Sequence, residues 1–388
     1  MKLSGIETHE HLQAIKKGMV MNMNNKNWVS VWGNAVSIAE HHPEAYAKYI
    51  TLRYPVYIPF DGDTLRFTFD NFCGSEAVTV TRATVSAATS PVYEKMPLAC
   101  PCKKETICDI TFSKNESVTM EAHQTAVSDP VSFPVKKGMT LTVSLYFADF
   151  TLMQSAVLVT GPLSKGFFSL GDQTHADALP MDTTKTTNWF YFLSNIELMT
   201  AEENHTVICY GDSITAGAWP DYLTLLARQN PDNHTAFIRR ATSGSRVLRQ
   251  YECITYDSYG LKGTNRFPHE IPTTGADTVI IQQGINDIIH PIGIETNPFR
   301  PMSDLPTAKE LIDGYRYYIE EAKKLHLKVH MGTLLPIFGW RTYATFRDDL
   351  RNELNAWIRS AKEIDGCIDF DLALRGSENP SAFREGFD

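Results

Sequence analysis

The run Val207-Ile208-Cys209-Tyr210-Gly211-Asp212-Ser213-Ile214-Thr215 constrains the fold more than any other stretch of the chain. Its apolar half predicts a buried β-strand, and the residues after it predict a tight turn into a helix. Such a turn exposes one hydroxyl at the carboxyl edge of a sheet and leaves the first helical amides unpaired beside it. Ser213 stands where a serine nucleophile would have reach and nearby oxyanion donors. An N-cap serine in an ordinary strand–turn–helix is the alternative that this run alone leaves open.

Two more apolar runs end in residues that fit the same chemistry. Ala236-Phe237-Ile238 is followed by Gly244, and Val279-Ile280-Ile281 is followed by Asn286 and Asp287. A glycine can present its backbone N–H to an oxyanion without blocking the acyl group, and a neutral side-chain amide adds a donor without a counter-charge. The alternatives are a plain loop glycine and an Asn-Asp turn after a buried strand.

Strands and helices alternate from residue 206 onward. The pattern predicts strands near 206–210, 235–239, 277–283, 327–333 and 367–370, and helices over 306–325 and 344–363. This alternation indicates an α/β domain with a parallel sheet and right-handed crossovers. Ser213, Gly244 and Asn286 then all follow the carboxyl ends of strands, where open α/β sheets place their sites.

The first half of the chain differs in character. Alternating segments such as Thr64-Leu65-Arg66-Phe67-Thr68-Phe69-Asp70 are separated by turn signals and predict an all-β sandwich or jelly roll. We therefore expect an N-terminal extension over residues 1–26, a β-sandwich accessory domain over 27–160, a connector over 161–205 and the α/β domain over 206–388.

The motifs occur in the order used by a known family. Gly211-Asp212-Ser213-Ile214-Thr215 resembles the first motif of the GDSL, or SGNH, esterases and acylhydrolases; the Gly244 segment resembles the second, and Gly284-Ile285-Asn286-Asp287 the third. The resemblance implies a flavodoxin-like α/β/α domain. It implies that Ser213 is the nucleophile and that the amides of Ser213 and Gly244 and the side chain of Asn286 form the oxyanion hole. Asp212, Arg246 and Asp287 are expected to support the loops or to touch substrate.

The chain departs from the family pattern at the fourth motif. In the family this motif is an Asp-x-x-His that supplies the base and its orienting acid. After Asn286 the one such match is Asp287-Ile288-Ile289-His290, which overlaps the third motif. We interpret His290 as a loop residue, and expect the chain to stop short of the block near Asp388. A base supplied in another way and an inactive relative are the remaining explanations.

The closest similarity is to SGNH acylhydrolases with an N-terminal β-domain that are associated with xylan degradation. It is carried by Gln283-Gly284-Ile285-Asn286-Asp287-Ile288 and Glu310-Leu311-Ile312-Asp313-Gly314-Tyr315-Arg316. It implies an O-acetyl ester of a plant-polysaccharide sugar as substrate and an acyl-enzyme mechanism with no cofactor and no metal. A lipase-like or thioesterase-like acylhydrolase is one alternative. A carbohydrate-binding protein with a catalytically incomplete domain is another.

The charge and the hydropathy of the chain limit the classes of partner that it is expected to bind. A net charge of −9 argues against nucleic acid or an anionic membrane as the main partner. No run of eighteen apolar residues is present, so no membrane span is expected, and residues 1–21 lack an apolar core of signal-peptide length. These features predict a cytoplasmic protein. The resemblance, rather than the charge, implies a small-molecule or oligosaccharide ester as its partner.

Overall fold

The computed structural model describes residues 26–39 and 46–387. The N-terminal extension predicted over residues 1–26 falls almost entirely outside this range. No helix within the described ranges combines the length and the apolar character needed to span a bilayer.

The first part of the chain, termed here the N-terminal β region (residues 26–201), consists of strands. They are β1 (Lys26–Gly33), β2 (Ser37–Ile38), β3 (Tyr46–Ala47), β4 (Ile50–Tyr57), β5 (Gly62–Asp70), β6 (Val78–Val80), β7 (Arg82–Ala87), β8 (Cys108–Ile110), β9 (Val118–Met120), β10 (Thr125–Val127), β11 (Val131–Val135), β12 (Thr140–Phe147), β13 (Thr151–Leu152), β14 (Ser155–Leu158), β15 (Gly166–Leu170), β16 (Lys185–Thr187), β17 (Trp189–Tyr191) and β18 (Leu193–Ala201).

Two antiparallel sheets dominate this region. One has the order β16-β15-β4-β12-β7-β8, and the other the order β1-β18-β5-β10 with β11 also paired to β5. On β5 the burial alternates: Leu65, Phe67 and Phe69 are fully buried, and Arg66 and Thr68 between them are less so. Residues from both sheets belong to one hydrophobic core, including Leu52 and Val143 from the first sheet. The antiparallel sheets that the alternating pattern predicts are therefore present.

Much of the segment expected to be a connector, residues 161–205, is paired into the sheets of this region. β15 pairs with β4, and β18 lies between β1 and β5 over most of its length. The connector prediction is corrected here, because long-range antiparallel pairing turns a segment with weak local pattern into a central strand.

The second part, termed the C-terminal α/β region (residues 205–387), alternates strands and helices. Its elements are β19 (His205–Gly211), α1 (Ser213–Ala216), α2 (Trp219–Arg228), β20 (Thr235–Ala241), α3 (Gly263–Glu270), β21 (Ala276–Gln282), α4 (Ile285–Ile289), α5 (Ala308–Lys324), β22 (Lys328–Gly332), α6 (Thr345–Ser360), β23 (Gly366–Ile368) and α7 (Phe370–Leu374). Short 3₁₀ turns cover Lys104–Thr106, Asp257–Tyr259 and Met302–Asp304.

All five strands form one parallel sheet in the order β20-β19-β21-β22-β23. This confirms the parallel sheet expected from the alternation of strands and helices. The predicted helix over 306–325 is present as α5, which starts where Thr307 and Glu310 form a capping box. Its buried face, which includes Leu311, Tyr315 and Ile319, packs into the core of the sheet.

The two regions meet along the edge strand β20. β1 packs against β20, and the hydroxyl of Thr206 donates to the carbonyl of Ser30 at 2.7 Å. Arg240 reaches across this contact, with its guanidinium donating to the carbonyls of Asn34 and Ser194 and to Asn195 Oδ1. The edge strand of the parallel sheet is thereby covered, which removes an otherwise exposed pairing edge.

A histidine–carboxylate pair also joins the regions. His269 on α3 places Nε2 at 2.8 Å from Asp70 Oδ2 on β5, and its ring stacks on Phe72 with centroids 3.8 Å apart. Burial lowers the pKa of His269, but the hydrogen bond to Asp70 and the charges of Asp70 and Glu270 raise it, and the net pKa lies above its ordinary value. The charged pair therefore stabilises the fold below pH 6.5, and this contribution is lost as the pH rises through the raised pKa.

We predict that His269→Gln destabilises the protein at pH 5.5 by about 1–3 kcal/mol, the usual range for a hydrogen bond to a charged group. At pH 8.5 the difference from the parent should shrink, because the imidazole is then neutral in both states. Urea unfolding at the two pH values measures this. Asp70→Asn should show the same pH dependence, and an equal loss at both pH values would contradict the assignment.

Candidate active site

The sharp turn after β19 places Ser213 at the carboxyl edge of the sheet. Ser213 is the first residue of α1 and is exposed, and its hydroxyl has no hydrogen-bond partner among the described residues. Gly211 permits this turn, since a Cβ there would lie 2.3 Å from both the carbonyl oxygen of Gln282 and Thr215 Oγ1. The hydroxyl is therefore free to react, while the backbone beneath it is tightly packed.

Asp212 is the N-cap of this short helix. Its Oδ1 accepts from the amide of Ile214 at 3.0 Å, and its Oδ2 is buried without a hydrogen-bond partner in the described part of the chain. Burial raises the pKa of Asp212 to about 7, and the charge of Asp287 adds to the shift. Asp212 is completely shielded from solvent, so of the two expected roles the structure favours loop support over contact with substrate.

Gly244 lies in the loop after β20 with a φ of +79°, a conformation that favours glycine. The ring of Tyr259 lies against it, so that a Cβ on Gly244 would come within 2.3 Å of that ring. The amide of Gly244, like that of Ser213, has no hydrogen-bond partner among the described residues. Both of these amides are thus available to a ligand oxygen.

Asn286, on the first turn of α4, is tied to the same loop. Its Nδ2 donates to the carbonyl of Ser245 at 3.0 Å, which leaves the second hydrogen of this amide group for a further acceptor. Gln283 fixes the loop from the same side, since its Nε2 donates to Ser245 Oγ at 2.9 Å. The predicted donors therefore stand on loops that bond directly to each other.

Asp287 and Arg246 stabilise the loop that follows Gly244 through buried contacts. The carboxylate of Asp287 accepts from the amides of Val247 at 2.8 Å and Leu248 at 3.1 Å. Burial raises the pKa of Asp287 to about 6, although these amides and Arg246 act in the opposite direction. Arg246 is 2% exposed, stacks on Tyr251 and bonds to Asp304 at 3.1 Å. Both residues hold the loop in place and are shielded from a substrate.

His290 caps the end of α4 and does not contact Ser213. It is buried, with its ring 5.2 Å from that of Tyr259, and its Nδ1 has no hydrogen-bond partner among the described residues. Burial lowers the pKa of His290 to about 3, and the positive charges of Arg300, Arg246 and Arg341 add to the shift. A histidine with this pKa is a weak proton acceptor at neutral pH. None of the described histidines hydrogen-bonds to the Ser213 hydroxyl.

Arg266 on α3 is a central residue that the sequence analysis missed. It is 1% exposed and donates to the carbonyl of Gly211 at 2.9 Å and to the hydroxyl of Thr242 at 2.8 Å. It also forms a buried ion pair with Glu270 and lies over the ring of Tyr210. Arg266 thus ties the ends of β19 and β20 together just before Ser213 and Gly244. No local pattern in the segment 263–270 signals this role.

We predict that Arg266→Met destabilises the protein by about 3–5 kcal/mol, because Glu270 would remain buried as an unpaired charge. Urea unfolding measures the loss. Arg266→Met combined with Glu270→Gln should recover part of it, since the buried charge is then removed. A single variant that loses less than about 1 kcal/mol, below the range for breaking a buried pair, would show that this ion pair does not hold the strand ends.

Comparison with known proteins supports a family assignment for this region. Residues 209–388 match the model of the GDSL-like lipase/acylhydrolase family. No curated protein sequence matches the chain.

Several solved structures of GDSL-type proteins match the chain weakly. A GDSL-like lipase from Bacteroides thetaiotaomicron has a TM-score of 0.34 and 19% identity, with 47% of this chain and 75% of that chain covered. A member of the lipolytic G-D-S-L family from Veillonella parvula has a TM-score of 0.29 and 17% identity, with 43% and 78% covered. The assignment rests on the family model, which spans Ser213, Gly244 and Asn286. Residues 209–388 of this chain are therefore similar to the GDSL-like lipase/acylhydrolase family.

Proposed function

We propose that this protein is a serine esterase that hydrolyses short acyl esters. The observation that carries the proposal is a single sheet edge at which the exposed hydroxyl of Ser213 lies with the unpaired amides of Ser213 and Gly244 and the side chain of Asn286. An exposed hydroxyl next to preorganised neutral donors is the arrangement that acyl transfer requires.

The reaction follows from these roles. Ser213 Oγ forms a bond to the ester carbonyl carbon, and the carbonyl oxygen takes up the electron pair and becomes an oxyanion. The amides of Ser213 and Gly244 and Asn286 Nδ2 donate to this oxygen. The bond to the alcohol then breaks, the alcohol leaves with the proton that the Ser213 hydroxyl gives up, and an acyl-enzyme remains. Water attacks the acyl carbon, the acid is released and Ser213 regains its proton. Neither a metal nor an organic cofactor takes part.

The acyl group that fits this edge is short. The ring of Tyr259 fills the space beside Gly244, and Tyr251 and Tyr256 pack against Tyr259 with ring centroids 5.6 and 5.4 Å away. This crowding favours an acetyl group over the long chains of lipase or thioesterase substrates. Together with the resemblance to acylhydrolases associated with xylan degradation, it supports an O-acetyl ester of a plant-polysaccharide sugar as substrate.

We predict that a fluorophosphonate probe labels Ser213, since the exposed hydroxyl can attack the phosphorus, fluoride leaves, and the phosphonyl oxygen then lies among the proposed oxyanion donors. Mass spectrometry of the labelled peptide locates the adduct. Ser213→Ala should abolish labelling, and Ser360→Ala, a change at an exposed helical serine, should leave it intact. Absence of labelling in the parent chain would reject the esterase and favour a sugar-binding protein.

We also predict that Asn286→Ala slows fluorophosphonate labelling by about 10²–10³-fold, the usual effect of losing one oxyanion donor. The second-order rate constant of labelling is the measurement. The hydrogen bond to Ser245 is lost as well, so circular dichroism and urea unfolding should accompany it. An unchanged rate constant in a folded variant would remove Asn286 from the oxyanion hole.

A further inference from the structure

A small cavity lies where the N-terminal β region meets the loop that carries Gly244. Its volume is about 40 Å³, enough for a few ordered waters or for one hydroxyl-bearing carbon of a larger molecule. Both regions contribute to its wall, which consists of Ser37, Val157, Leu158, Trp189, Thr242, Ser243, Ser258 and Tyr259. We call it the seam cavity.

The hydroxyl of Ser37 is the strongest sign that the seam cavity holds a ligand. Ser37 is 2% exposed, and its Oγ has no hydrogen-bond partner among the described residues. Buried hydroxyls are nearly always satisfied, and one left unpaired in a cavity wall calls for an external partner. The hydroxyls of Ser243 and Ser258 in the same wall also have no partner in the described part of the chain.

Two half-buried aromatic rings, Trp189 and Tyr259, border these hydroxyls. An apolar pocket with a few convergent polar groups is typical of a small-molecule site. Aromatic faces suit the C–H surface of a sugar ring, and unpaired serine hydroxyls can both donate to and accept from its hydroxyl groups. The chemistry of the wall therefore matches a polyol better than an ion or a purely apolar chain.

The cavity also lies next to the proposed catalytic edge. Gly211 pairs with Ala241 across β19 and β20, so Ser213 and Ser243 each stand two residues beyond paired positions on neighbouring strands. Such strands are separated by about 4.8 Å. Tyr259 lines the cavity and at the same time packs on Gly244. A group bonded to an ester held at Ser213 can therefore extend into the cavity.

We propose that the seam cavity binds the sugar of the ester's alcohol, with one hydroxyl-bearing carbon between Trp189 and Tyr259 and its hydroxyl bonded to Ser37. This inference rests on the proposed esterase function and adds a subsite to which the N-terminal β region contributes directly. Ser37 and Trp189 are then binding residues of the substrate, and the β region is part of the site.

Isothermal titration of the chain with methyl β-D-xylopyranoside tests the site without any turnover, because this sugar carries no ester. We expect saturable binding that weakens about tenfold or more in Ser37→Ala and in Trp189→Ala, a loss equivalent to one or more hydrogen bonds. Ser37→Ala should fold normally, since it removes an unpaired hydroxyl. Trp28→Ala, at a half-buried tryptophan of the same region outside the cavity wall, should bind as the parent does.

Three results would overturn the subsite: no binding by the parent, equal binding by the parent and both variants, or an equal loss in Trp28→Ala. Fluorophosphonate labelling of the same preparation separates the two proposals. Labelling without sugar binding rejects the subsite and leaves the esterase in place. Sugar binding that depends on Ser37 and Trp189 without labelling supports the subsite and rejects the esterase.

Discussion

The site depends on the register of three parallel strands. Gly211 at the end of β19 pairs with Ala241 on β20 on one side and with Gln282 on β21 on the other. These three paired residues mark one level at the end of the sheet. Ser213 follows this level by two residues, Gly244 by three and Asn286 by four. A shift of one residue in either pairing would move a donor along the strand by about 3.3 Å, more than the tolerance of a hydrogen bond. The pairing of the sheet thus decides whether the Ser213 hydroxyl, the Gly244 amide and the Asn286 side chain lie close together.

Three buried arginines stabilise this strand register through contacts with different parts of the fold. Arg266 bonds to the ends of β19 and β20, Arg240 binds carbonyls of the N-terminal β region, and Arg239 donates to Asp221 at 2.7 Å and to the hydroxyl of Ser164. Most of the guanidinium donors bond to backbone carbonyls or to buried side chains, so the cost of burying each charge is largely offset. Because Arg239 and Arg240 are adjacent on β20, their side chains extend to opposite faces of the strand. The edge strand of the parallel sheet is therefore anchored on both faces.

The sequence was sufficient where local pattern decides the structure. The β-branched runs at 207–208 and 279–281 identified buried parallel strands, and the turn residues after them identified Ser213 and Asn286 as candidates at one edge. The sequence did not predict the structure where pairing between distant segments determines it. β18 is central in its sheet, but only its contacts with β1 and β5, more than 100 residues away, distinguish it from a connector. Arg266, Gln283 and Tyr259 support the site through contacts across the fold, which a linear pattern of residue types does not encode.

Tyr259 shows why the two regions form one functional unit. Its ring presses on Gly244, and the glycine that follows it lies so close to β2 that a Cβ there would meet Ser37 Oγ at 2.4 Å. The position of Gly244 is thus coupled to the N-terminal β region through an aromatic ring. The three atoms nearest to a Cβ built on Gly244 all belong to this ring. The N-terminal β region therefore supports the loop that carries Gly244, and the C-terminal α/β region separated from it would lack the contact with Ser37 beside Gly260.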